Sequence, residues 1–239
     1  MERHKSSGHI DVSVVLPTYN ERGNVAPLIR EISRQMKGYR TEFIVVDDNS
    51  QDGTAEEVRK IRGGSVRLIV RKGERGLASA VWKGISSSKG AVVVLMDVDF
   101  SHPPGLVPVL VGKTKSHDMA FASRYVRGGR MEGTRMQYFL SKLLNRFIKT
   151  VLGIPVLDST GGFFAARRNV FDGIKPEHIF DGYGDYCFKF LFSVRKTGYK
   201  TIELPFAYQP RKSGNSKTRV FSAGFSYVFR ALKLRLGFR

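Results

Sequence analysis

Two carboxylates in alternate positions, Asp97 and Asp99, sit between an apolar run, Val92-Val93-Val94-Leu95-Met96, and the stop Phe100-Ser101-His102-Pro103-Pro104. The run reads as a strand buried on both faces, as in a parallel sheet. Residues i and i+2 of an extended backbone point the same way, so both acids face one place at the strand's C-terminal end. In open α/β sheets that edge is where ligands bind. Like charges so close require a cation or a solvated gap between them. The competing explanation is that the acids solvate a strand end and cap the next turn. His102, ahead of two prolines, is expected to support the acids structurally rather than to ligate a metal.

Other polar groups fall at ends of the same kind. The first apolar strand ends in Leu16-Pro17-Thr18-Tyr19-Asn20-Glu21, where a tyrosine can stack on a base and a carboxylate can accept from ring N–H donors. An ordinary βα loop with Asn24 as helix cap explains the same residues. The second strand ends in Asp47-Asp48-Asn49-Ser50-Gln51-Asp52-Gly53-Thr54. Acids there accept from ribose hydroxyls or cap the following helix. The stretch from Arg71 to Ala80 combines cations and glycines at a helix start, a weak phosphate-cradle signal without P-loop or GxGxxG spacing.

The elements that must position these groups alternate between apolar strands and amphipathic helices, the pattern of an α/β domain with a largely parallel sheet. Strands are expected at Val12–Pro17, Glu42–Val46, Val66–Val70, Ala91–Met96 and Asp118–Ala122. Helices are expected at Val25–Met36, Thr54–Ile61, Leu77–Ser87 and Leu106–Val111, with capping-box spacing at Thr54-Ala55-Glu56-Glu57. Further on, the pattern predicts helices over Arg135–Leu152 and Tyr183–Lys196, a break at Gly161-Gly162, and a strand over Lys200–Tyr208.

A chain of 239 residues with 41% hydrophobic and 26% charged residues reads as one folded domain. The net charge of +19 favours an anionic partner: nucleic acid, an acidic membrane surface or a phosphorylated ligand. A single cysteine, Cys187, excludes a disulfide framework and a CxxC metal site and suits a reducing compartment. Residues 1–10 read as a loose tail without signal-peptide character, and no stretch supplies the roughly 20 apolar residues of a membrane span. After Leu204 the chain carries eight Lys or Arg residues and no acid, interleaved with Phe221, Phe225, Tyr227, Phe229, Leu232 and Leu236. Residues 218–239 therefore read as a basic amphipathic helix, either lying in a membrane interface or packed on the core.

Seven stretches in order resemble the family-two glycosyltransferases, and within them the polyprenyl-phosphate sugar synthases such as the dolichol-phosphate mannose synthases. They are Leu16-Pro17-Thr18-Tyr19-Asn20-Glu21, Val45 to Thr54, Met96 to Pro104, Ser123-Arg124-Tyr125-Val126-Arg127-Gly128-Gly129, Asp158-Ser159-Thr160-Gly161-Gly162-Phe163, Glu203-Leu204-Pro205-Phe206, and Arg211 to Lys217. The resemblance implies a GT-A fold, Rossmann-like with a mostly parallel sheet flanked by helices, over residues 11–217. It also implies a nucleotide-sugar donor and Mg²⁺ or Mn²⁺, which the hard oxygen donors suit. By residue, it assigns donor contacts to Pro17, Tyr19, Glu21, Asp47, Asp48 and Asp97. Metal ligation falls to Asp99 with Ser101, and closure over the donor diphosphate to Arg211 and Lys217. Arg124 matches the family's acceptor-phosphate arginine and Ser141 the serine of the next helix. The arginine expected four residues before that serine is replaced by Gln137, with Arg135 nearby. Asp158 either faces the acceptor or belongs to a structural turn. Asp185 either acts as a base for hydroxyl acceptors or caps a helix.

The implied reaction is an inverting transfer of a hexose, mannose from GDP-mannose, to dolichyl or another polyprenyl phosphate. Its catalytic groups are Asp97, Asp99, Arg124 and Arg211. The same chemistry with UDP-glucose or another UDP-sugar, transfer to a hydroxyl acceptor, and a basic nucleic-acid- or membrane-binding protein are the alternatives. No nucleic-acid-binding signature accompanies the charge, so nucleic acid is not expected as a partner. The expected location is peripheral, at the cytoplasmic face of a membrane, with a small membrane-anchoring subunit as one way of holding the chain there.

Overall fold

The computed structural model describes residues 9–132, 134–209 and 220–237. In chain order its elements are β1 (Val12–Thr18), α1 (Arg22–Gln35), β2 (Thr41–Asp47), α2 (Thr54–Arg59), β3 (Val66–Val70), α3 (Leu77–Ser87), β4 (Val92–Leu95) and α4 (Val107–Lys113). They continue with β5 (Met119–Ser123), β6 (Arg130–Met131), α5 (Arg135–Leu152), β7 (Phe164–Arg167), α6 (Tyr186–Val194), β8 (Thr201–Pro205), β9 (Ala207–Tyr208) and α7 (Val220–Arg235). All five strands and four helices expected in the first half are present.

The main sheet has the order β3-β2-β1-β4-β7-β5-β8, and every pairing is parallel except those of β7. The chain runs outward from β1 to β3 and then returns to place β4 on the other side of β1. The switch point therefore lies between the C-terminal ends of β1 and β4, where an open α/β sheet forms its ligand crevice.

Alternation along the strands separates the two faces. Val15, Val93, Leu95, Phe121 and Phe164 pack under α3, α5 and α6, while Val14, Leu16, Val94 and Phe43 pack under α1 and α4. Gly84 lets α3 rest on β1, because a Cβ there would overlap the Val15 side chain.

Three departures from the sequence pattern have local causes. β7 is not among the expected strands; it has four residues, two of them alanine, too few to show a period, and is inserted antiparallel between β4 and β5. The single strand expected over Lys200–Tyr208 is two, because the chain leaves the main sheet at Pro205 and pairs Ala207 and Tyr208 with β6. The capping box expected at α2 is absent: Gly53 holds the N-cap position, and Thr54 Oγ1 accepts from Glu21 N at 2.9 Å, tying α2 to the loop after β1. A true capping box starts α5 instead, between Thr134 and Gln137.

Cys187 is fully buried on α6, and burial pushes its thiol up to about 12. Native protein should therefore leave Cys187 unmodified by a thiol reagent at pH 8, with full reaction in denaturant; rapid native labelling would mean that α6 opens. On α7, Ala231 is buried in the core, whereas Phe225 and Phe229 are exposed. One face of this helix packs on α5, as the core-packing reading expects, and the other is exposed.

Candidate active site

The loop after β1 is built around Asp47. Its carboxylate, fully buried, accepts from Thr18 Oγ1 at 2.9 Å and from Ser50 N and Oγ at 2.8 and 2.6 Å. It therefore joins the β1 and β2 loops rather than facing the crevice, which corrects its expected place as a donor contact. Asp48 borders the crevice, but Arg71 Nε (2.7 Å) and Gly76 N (2.9 Å) hold its carboxylate. Arg71 is thereby buried against Asp48, so the Arg71–Ala80 stretch is not built as a phosphate cradle around it. Tyr19 and Glu21 line the crevice with Pro17, and Asn24 Nδ2 donates to Glu21 Oε2 at 2.8 Å.

At the end of β4 burial splits the acid pair. Asp99 is buried and its Oδ1 accepts from Ser101 N (2.9 Å) and Ser101 Oγ (2.6 Å), whereas the Asp97 side chain is 43% exposed. Both line the crevice. Between them the chain turns through Phe100 at φ +66°, an uncommon conformation for a residue with a Cβ. Ser101 is fully buried and its hydroxyl donates to Asp99 Oδ1, so it orients that carboxylate. His102 meets its expected supporting role. It stacks on Phe163 with ring centroids 4.7 Å apart, and its Nδ1 accepts from Asp97 N at 3.0 Å. Burial pushes the imidazole below its usual range despite the acids nearby, so it is neutral at pH 7 with its proton on Nε2.

Across the crevice stands Arg124. Its Nε and Nη2 donate to the two oxygens of Asp158 at 2.8 and 2.7 Å, and its backbone N donates to Asp158 Oδ2 at 2.8 Å. Asp158 is itself fixed by Glu203, which accepts from Leu157 N and Asp158 N at 2.9 and 3.0 Å. Burial works against the guanidinium charge, but the Asp158 carboxylate outweighs it and holds Arg124 above its already high range. Asp158 thus grips the arginine from behind, and it does not border the crevice as an acceptor residue would. The Arg124 Nη1 faces Met131 Sδ at 4.0 Å. Ser141 and Gln137 border the crevice, with Ser141 Oγ 2.6 Å from Tyr125 Oη. Arg135 is exposed on the first turn of α5 and is not among the lining residues. Arg211 and Lys217 lie outside the described residues.

Together these groups enclose about 780 Å³. Contributors that sequence reasoning missed include Arg75, whose guanidinium lies 3.8 Å from the Tyr19 ring centroid, Tyr208 of β9, and Gly224 and Tyr227 of α7. Asp185, considered as a base, is instead neutralised by Lys189 Nζ (2.7 Å) and Arg230 Nη1 (2.9 Å), and it is not a lining residue. Among the described residues no cluster of three or more His, Cys, Asp or Glu forms a closed metal cage. Two carboxylates on one wall of an open crevice fit a hard divalent cation that takes its other oxygens from a ligand.

Residues 13–174 match the family described as Glycosyl transferase family 2. The chain is 36% identical over 218 residues to a dolichol-phosphate mannosyltransferase of Pyrococcus furiosus, covering 87% of this chain and 59% of that protein. It is 35% identical to the dolichol-phosphate mannosyltransferase of Saccharomyces cerevisiae, covering 87% of this chain and 81% of that one. Its fold is similar to glucosyl-3-phosphoglycerate synthase of Mycobacterium tuberculosis in complex with Mn²⁺, UDP and phosphoglyceric acid, with a TM-score of 0.73, 22% identity, and 96% and 80% of the two chains covered. The same enzyme with Mg²⁺ and UDP gives the same TM-score of 0.73.

Proposed function

Since the chain belongs to glycosyl transferase family 2 and has a GT-A fold, we propose that it transfers mannose from GDP-mannose to a polyprenyl phosphate such as dolichyl phosphate. The observation that carries this reading is one crevice bordered by Asp97 and Asp99 on one wall and by a prepositioned guanidinium, Arg124, on another.

The donor lies over the loop after β1, with its diphosphate toward the acids. Asp99, oriented by Ser101, and the more exposed Asp97 are the residues that would hold Mg²⁺ or Mn²⁺. When bound, such an ion neutralises the departing diphosphate. Arg124 receives the acceptor phosphate. Asp158 occupies its Nε and Nη2, so the guanidinium, which borders the crevice, is held in one orientation with Nη1 on the Met131 side. The phosphate monoester is already anionic near neutral pH, with a second pKa of about 6, and needs no general base. Its oxygen forms a bond to C1 as the C1–O bond to the diphosphate breaks, and GDP leaves. Backside attack inverts C1, so an α-linked donor gives a β-linked lipid phosphosugar. A hydroxyl acceptor is less suited, because Asp158 and Asp185 are both buried in ion pairs.

The acceptor's lipid gives the outer faces of α5 and α7 a role. Met136, Phe139, Leu140 and Leu143 on α5 and Phe225, Phe229, Leu232 and Leu236 on α7 are exposed, and Leu144 and Tyr227 of the same helices border the crevice. Lys142, Arg146, Lys233 and Arg235 stand among them, suiting an anionic headgroup layer. Among the described residues no helix is long and apolar enough to cross a membrane. Phe225→Ser with Phe229→Ser should weaken co-sedimentation with anionic vesicles by about 100-fold, from two phenyl groups at about 1.5 kcal/mol each. Undiminished vesicle binding would remove α7 from the interface.

The reading is tested by incubating the protein with Mg²⁺ or Mn²⁺, a short polyprenyl phosphate in detergent, and a panel of GDP- and UDP-sugars. A lipid-linked product formed from GDP-mannose is the expected result. Product from a UDP-sugar instead would change the donor, and product from none would overturn the reading.

A further inference from the structure

Tyr19 is flanked by two groups of opposite hydrogen-bonding character. Glu21, pinned by Asn24, presents a carboxylate acceptor to the crevice, and the Arg75 guanidinium lies against the Tyr19 ring at 3.8 Å. Arg75 is exposed, but the loop that carries it is closed at its base. Arg71 Nη2 donates to Gly76 O at 2.8 Å, and Asp48 binds both Arg71 Nε and Gly76 N. The loop that bears Arg75 is therefore anchored on Asp48 beside the donor subsite.

Taking the donor to be a nucleoside diphosphate sugar, as proposed above, we infer that Arg75 is the residue that selects guanine. A base entering the crevice competes with Arg75 for the face of Tyr19. An exposed cation–π contact is weak enough to be exchanged for base stacking. The displaced guanidinium remains next to the base edge, where its fork of donors matches O6 and N7 of guanine. Glu21 then meets the opposite kind of group, the ring N–H and 2-amino donors. Adenine places an amino donor where the arginine donates, and uracil has no adjacent acceptor pair equivalent to O6 and N7. Asp48 takes part indirectly, as the anchor of the Arg75 loop.

The test measures nucleotide affinity of the full chain by calorimetry with Mg²⁺ present, using GDP, 7-deaza-GDP and UDP. The unaltered protein should bind GDP about tenfold more tightly than 7-deaza-GDP, which lacks one of the two acceptors. In Arg75→Ala that gap should close while UDP affinity is not lowered, since uracil then meets no competitor for the Tyr19 face, which also reports that the crevice is intact. A gap that persists in Arg75→Ala overturns the assignment of Arg75 but leaves the donor reading in place. Equal losses of GDP and UDP affinity would make Arg75 a general anion contact and also overturn it. Preference of the unaltered protein for UDP would overturn the donor reading itself, before any variant is compared.

Discussion

Asp99→Ala should lower transfer by a factor of about 10³ or more, the scale on which loss of a principal electrostatic contact to a developing charge acts. The expectation rests on the unequal environments of the two acids. Asp99 is buried, and its Oδ1 is fixed by two hydrogen bonds from Ser101, so its carboxylate has a defined direction. Asp97 is partly exposed and held through its backbone by His102. Asp99→Ala should also remove the enhancement of GDP binding by Mn²⁺, a readout independent of turnover. Ser101→Ala should have a smaller effect of about tenfold, the low end for loss of an outer-shell partner. Full activity of Asp99→Ala would place the cation elsewhere. A loss larger in Ser101→Ala than in Asp99→Ala would make Ser101 a direct ligand.

Much of this site is legible in the sequence because its scaffold is local. Each of β1, β2 and β4 is an apolar run that ends in polar residues, and the strand order places those ends together at the switch point. The pattern of apolar runs and polar ends is therefore enough to put Tyr19, Glu21, Asp97 and Asp99 on one edge. Contacts between distant residues are not legible in the same way. Asp47 and Asp48 are adjacent and chemically identical, yet one is buried by Thr18 and Ser50 and the other by Arg71, 23 residues away. Arg75 is one cation in a strongly basic chain, and only the fold distinguishes it by laying it on Tyr19. The short β7 carries no periodic signal, and its partners on both sides provide its order.

The same distinction bears on the charge. A chain of +19 has an acidic crevice, with Glu21, Asp48, Asp97, Asp99 and Glu132 against Arg75 and Arg124 among its lining residues. On the proposed reading the net charge favours an anionic surface, while the lining carboxylates suit a cation and the phosphates that accompany it.

Arg124→Ala is expected to damage both stability and acceptor use, and the two effects can be separated. Truncation leaves Asp158 buried without its cation, which costs about 3–5 kcal/mol and lowers the melting temperature by about 10 °C. Loss of acceptor use from such a variant would by itself say little. Arg124→Met combined with Asp158→Asn removes both charges and keeps an oxygen to accept from the Arg124-position backbone N–H, now made to Asp158 Oδ2 at 2.8 Å. Replacing a buried ion pair by uncharged groups of similar volume is close to neutral, so most of the lost stability should return. Acceptor use should not return: KM for the lipid phosphate should stay raised by about 10-fold or more, as for a lost charged hydrogen bond, while GDP affinity is unchanged. Arg124→Lys should fall between, retaining the charge without the fixed fork. If the double variant regains acceptor affinity together with stability, Arg124 is a structural cation and the acceptor phosphate binds elsewhere along the crevice.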